Sequence, residues 1–184
     1  MDLVSALAQT FDHTHRIVGG VSAEQMTNTT PCSDWNVQAL LSHTIGVISN
    51  IGMAVATGQP PSAPPSAVLT KDLGAQFRAA ADATLAAWTA AGIDGDTNIG
   101  AGPMPRQAAI GINLLDTATH SWDIARATGQ PGELPAELAQ MILGICRSIV
   151  TDEIRGFAGF APAVPVAADA SPTQQLVAFL GRQP

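Results

Sequence analysis

Apolar residues recur along this chain at the three- and four-residue spacing of helices, and no stretch shows the alternation of a half-buried strand. Leu3, Leu7, Phe11 and Val18 make the first such face, and Gly19-Gly20 stops it. Ser22 to Met26 has room for one turn, while Pro31 turns its predecessor away from helix. A second helix is predicted from Asn36 as N-cap through Val37, Leu40, Leu41, Thr44, Ile48 and Ile51 to Gly58. The prolines of 59–66 cannot propagate a helix, so that segment is expected to be a loop and the least ordered part of the chain. A third helix is predicted over roughly Leu69 to Ala91, a fourth from Pro105 to about Thr128, and a fifth over Leu134 to Thr151. An extended stretch from Pro162 to Pro172 then leads to a short last helix, Thr173 to Leu180. The pattern predicts an all-α, four-helix bundle with short C-terminal helical additions, formed by residues 1–184 as one domain.

Composition narrows the function classes. The formal net charge is -7, and the few arginines and Lys71 are scattered, so no basic footprint for a nucleic acid exists. The apolar stretch Ile45 to Ala56 is interrupted by Ser49, Asn50 and Gly52 and is too short to span a bilayer, so it reads as a buried helix and no membrane role is expected. Met1 to Thr10 lacks the basic flank of a secretory leader, which gives a cytoplasmic expectation. Cys32 and Cys146 lie far apart and are expected to be ordinary buried thiols.

The candidate chemistry follows once the helices are drawn. His43 comes three residues after Leu40 and four before Val47, so it shares their inward face. On the fourth helix, Ile112, Asp116, His120 and Ile124 step by four, placing a carboxylate and an imidazole in an apolar stripe. A buried carboxylate is costly unless paired or coordinated. One divalent metal held by His43, Asp116 and His120 would satisfy all three groups and leave positions open for water or substrate. Zinc suits that donor set best, and nickel or iron are alternatives. An Asp and His four apart can equally be a plain hydrogen-bonded pair.

Four stretches resemble a known family: Thr30-Pro31-Cys32-Ser33-Asp34-Trp35 leading to Leu40-Leu41-Ser42-His43, Gly102-Pro103-Met104-Pro105, Leu115 to Pro131, and Leu176 to Arg182. With these the chain resembles the DinB-like metal-binding bundles, in the actinobacterial branch that includes the mycothiol-dependent maleylpyruvate isomerase N-terminal domain. The His120-Ser121-Trp122-Asp123 and Ala127-Thr128-Gly129-Gln130 runs are its most specific part, closer to small uncharacterised members than to the isomerase. The resemblance implies one metal ligand from the second helix and two from the fourth, at His43, Asp116 and His120, with Asp116 standing where the isomerase pattern has Glu.

The resemblance further implies a mycothiol-dependent transferase or isomerase whose partners are a small-molecule thiol and an electrophile. A non-catalytic bundle binding a metal or small ligand is the alternative, and an iron oxygenase a weaker one. Asp123 could orient the His120 ring through its second nitrogen, and Arg126 could meet an anionic substrate or simply complement a helix C-terminus. Trp35 and Cys32 are expected to staple the start of the second helix, with His13 and His15 in solvent or local packing. A homodimer is permitted by the Ala-rich third helix but not required.

Overall fold

The computed structural model describes residues 1–157 and 160–184. Four long helices form the body: α1 (Leu3–Gly19), α2 (Val37–Thr57), α3 (Leu73–Ala91) and α4 (Arg106–Thr128). α5 (Ala136–Ile149), α6 (Asp152–Phe157) and α7 (Pro172–Phe179) follow. α1 packs against α3 and α4, and α2 packs against the same pair, so α1 and α2 occupy opposite corners of the bundle. α5 packs against both α4 and α7.

Side-chain caps account for four of the starts, with Ser171 accepting from the Gln174 amide ahead of α7 at 3.1 Å. Asp2 accepts from the Ser5 amide at 2.9 Å, Asn36 from Ala39 at 2.9 Å and Asp72 from Ala75 at 2.9 Å, each satisfying a first-turn donor. The Asp72 cap is also why α3 begins at Leu73 and not at the expected Leu69. Pro105 flanks α4 as its N-cap, one residue outside the expected start, and Pro135 does the same for α5. Two features carried no sequence signal: the short helix α6, and a two-residue antiparallel ladder pairing β1 (Asp96–Thr97) with β2 (Met104–Pro105).

The core is aliphatic with a few large anchors. Phe11 and Phe77 meet edge to face at 6.2 Å, and Trp88 is fully buried with its indole N–H donating to Asn113 at 3.3 Å. α2 is long and apolar enough to cross a membrane, with a mean hydropathy of 1.5 over its most apolar window, so the reading based on 45–56 alone understated it. In this fold 56% of that window is buried, and α3 and α4 supply the cover.

The end of α4 explains much of the Ala-Thr-Gly-Gln run in structural terms. The terminal carbonyls of Ala127 and Thr128 accept from Asn28 and Gln25 of the connector, and Gln130 donates to the Ile17 carbonyl. The proline-rich segment also differs from its expectation: it is strapped along α2. Ser42 Oγ donates to the Ala67 carbonyl at 2.7 Å and Asn50 to that of Ala63 at 3.2 Å. A Cβ at Gly46 would come within 2.7 Å of the Pro65 carbonyl carbon, so only glycine lets the strap lie this close. Gly46→Ala should therefore destabilise the protein by about 1–3 kcal/mol in urea unfolding, although alanine is the better helix former.

Candidate metal centre

α2 and α4 are neighbours in the bundle, and their facing sides bring the three expected ligands together. His43 Nε2 and His120 Nε2 each lie 3.6 Å from Asp116 Oδ1, and all three donor atoms fall within 4.8 Å of one another. Donors at ~2.0–2.2 Å around a tetrahedral zinc are separated by roughly 3.4 Å, so the set fits a single ion with little movement. Asp116 Oδ2 is buried and has no hydrogen-bond partner, an orphaned acceptor of the kind a cation would satisfy. Burial pushes the Asp116 carboxyl up, but the facing His120 and His43 outweigh it and hold it below its usual value.

The imidazoles are held from behind. Trp35 stacks against His43 with ring centres 4.3 Å apart, and the two histidine rings meet edge to face at 5.2 Å. Trp35 is thus a wall of the site as well as part of the approach to α2. Asp123, with no exposure, lies 3.1 Å from His120 Nδ1 through its Oδ2. A carboxylate on Nδ1–H leaves the Nε2 lone pair facing Asp116, the tautomer a ligand needs.

Asp123 is itself gripped by Arg182, whose Nε donates to Oδ1 at 3.2 Å and Nη2 to Oδ2 at 2.9 Å. Burial raises the Asp123 carboxyl, and the hydrogen bonds from His120 and Arg182, with the guanidinium charge, lower it further than that, to a net value below 3.8. Arg182 was not singled out by sequence reasoning, although it closes the last of the four resembling stretches. It reaches the site because Gly181, at φ 85°, turns the chain after α7 and passes it against Ala161. Arg126 is the opposite case. It is exposed, its guanidinium 5.6 Å from the Trp122 ring, because position 126 lies about 120° round the helix from His120, whereas Asp123 lies about 60° from it on the site's own face.

The three groups sit at the wall of a cavity of about 510 Å³, whose described lining is otherwise mainly apolar, with Met104, Ile112, Leu115 and Phe160, and also holds Thr119 and Arg182. Cys32 is half-buried in the same wall. Burial raises its thiol, and raises that of the fully buried Cys146 to about 12. At neutral pH a thiol-specific reagent should titrate Cys32 slowly and Cys146 only on unfolding, which a two-phase absorbance trace would show. His13, also buried, lies away from the cluster with its Nε2 unpartnered; burial and the nearby Arg16 lower its pKa.

Fold and site together define a helical bundle with two imidazoles and a carboxylate converging from adjacent helices. The chain belongs to the mycothiol maleylpyruvate isomerase N-terminal domain family, whose sequence model matches residues 7–125. It is similar to uncharacterized proteins of two Mycobacterium tuberculosis strains, 34% identical over 183 residues, covering 99% of this chain and 98% of theirs. Among solved structures it resembles the mycothiol-dependent maleylpyruvate isomerase, with a TM-score of 0.55 and 14% identity over 78% of this chain and 68% of that one. A histidine-to-alanine mutant of that isomerase matches with a TM-score of 0.53 and the same identity and coverage. At that identity the likeness speaks for the fold, which is that of the DinB-like bundles.

Proposed function

We propose that this protein is a divalent-metal-dependent enzyme that uses mycothiol, or a closely similar small thiol, to attack a small electrophile, as an isomerase or transferase. The observation that carries the reading is the convergence of His43, Asp116 and His120 on one point beside an apolar cavity, in a chain of this family. These three residues would hold the metal, with zinc the best fit to two nitrogens and one oxygen and nickel or iron as alternatives. Bound there, a divalent cation would favour the thiolate form of a thiol at neutral pH.

The remaining work falls to the chain's own groups. Asp123 fixes the His120 tautomer and Arg182 keeps Asp123 ionised and in place. Trp35 and the apolar walls restrict water, which would otherwise solvate and blunt a sulfur nucleophile. In the addition, a C–S bond forms at the electrophilic carbon and the electron pair of its π bond moves to the activating group, which takes up the proton the thiol released. In an isomerisation the C–S bond breaks again after rotation about the former double bond. No oxidant or reductant is required.

The test is consumption of an electrophilic alkene by purified protein with mycothiol and zinc. Consumption should need both, stop on chelation and fall to the uncatalysed rate in His43→Ala. Undiminished turnover in that variant would place the chemistry elsewhere in the protein.

A further inference from the structure

The cavity beside the three donors offers an apolar wall and almost no spare positive charge. Its described lining holds one cation, Arg182. Two of the three guanidinium nitrogens are committed to Asp123, and the third, Nη1, donates to the Leu180 carbonyl at 2.9 Å. Two further arginines, Arg155 and Arg106, lie outside that described lining and are tied to backbone carbonyls. Arg155 Nη1 donates to the carbonyls of Ala161 and Phe179, and Arg106 Nη1 to those of Ala91 and Asp94. Against these stand the carboxylates of Asp116 and Asp123. A divalent cation and the thiolate it holds would cancel Asp116, and Arg182 already cancels Asp123, so no net positive charge is left to receive a substrate carboxylate. Burying an unpaired carboxylate against Met104, Ile112, Leu115, Ile149 and Val150 is unfavourable.

Resting on the thiol-enzyme reading for its catalytic part, we infer that the second substrate of this site is an uncharged, predominantly apolar electrophile and not a carboxylate. The apolar wall supplies its binding, and the electrophilic carbon is presented towards the side where His43, Asp116 and His120 converge.

The inference is tested first by binding, without turnover, using diethyl succinate and succinate as an unreactive matched pair in isothermal titration against the full chain. The diester should bind on the order of tenfold more tightly than the dianion, a difference of about 1.4 kcal/mol. Equal binding, tighter binding of the dianion, or no binding of either would overturn it. Two variants check that the cavity sets the preference: Ile112→Arg, one turn before Asp116, and Met104→Arg, on β2 and half-buried. Either folded variant should lose the preference or reverse it, and a preference unchanged in both would overturn the assignment. Turnover is then compared for diethyl fumarate and fumarate, each divided by its uncatalysed rate with the same thiol. Faster normalised turnover of fumarate would discard the substrate class and keep the thiol enzyme. A diester preference in binding with no turnover of either would discard the thiol enzyme and keep the class.

Discussion

Alanine in place of His120 is expected to abolish stoichiometric metal binding. Protein purified without chelator or affinity metal should carry close to one equivalent of zinc by elemental analysis, and the variant essentially none. His120 would supply one of three protein donors, and its Nε2 lies 3.6 Å from the carboxylate oxygen that the ion would share. Losing a supporting partner of a ligand typically costs ~10–100-fold in metal affinity, and losing the ligand itself should cost more. Circular dichroism separates this from misfolding, since the ring is edge-packed at the cavity and is not a core anchor such as Trp88. Asp116→Glu is the informative companion: it keeps a carboxylate at that position and should keep the metal. Wild-type affinity in His120→Ala would show that the three groups are an ordinary polar cluster.

Arg182→Gln should be the most destabilising single change at the site, by about 3–5 kcal/mol at neutral pH, because it leaves the Asp123 carboxylate buried without its bidentate partner. The pH dependence should change sign as well. In the wild type the Asp123 pKa is depressed by its partners, so its contribution to stability is present above the unfolded value near 3.8 and is lost as the pH falls through the lower folded value. In the variant, desolvation raises the Asp123 carboxyl without the guanidinium to oppose it, so this carboxylate takes up a proton more readily in the folded than in the unfolded chain. The difference in stability between wild type and variant should therefore narrow as the pH is lowered from 7 towards 5. Urea unfolding across that range measures it, and a difference that stays constant would mean Arg182 acts through packing alone.

Most of the helices were legible because they are local, although the Leu73 start of α3 and the short α6 were not. Asn36 caps α2 through an amide three residues away, and the four-residue steps of Ile112, Asp116, His120 and Ile124 follow from helix geometry. The same geometry placed His43 on the inward face of its helix. The pairing of Asp123 with His120 was readable as one of two options, since it too spans a single turn. The long-range partners were not. Arg126 lies three residues from Asp123 along the chain yet points to solvent, whereas Arg182 arrives from 59 residues away to hold it. The proline-rich strap is another case: its composition excludes helix, but its path along α2 depends on Gly46 leaving room for it.

Composition, periodicity and capping residues thus determined an all-α chain with two imidazoles and a carboxylate on inward faces. Tertiary structure alone decided that α2 and α4 are neighbours, that Trp35 backs His43, and that Arg182 is the cation of the site. The reason is the range of the interactions. Helix hydrogen bonds and caps join residues three or four apart, whereas charge pairing and the apolar cavity arise only when segments distant in the chain are packed against one another.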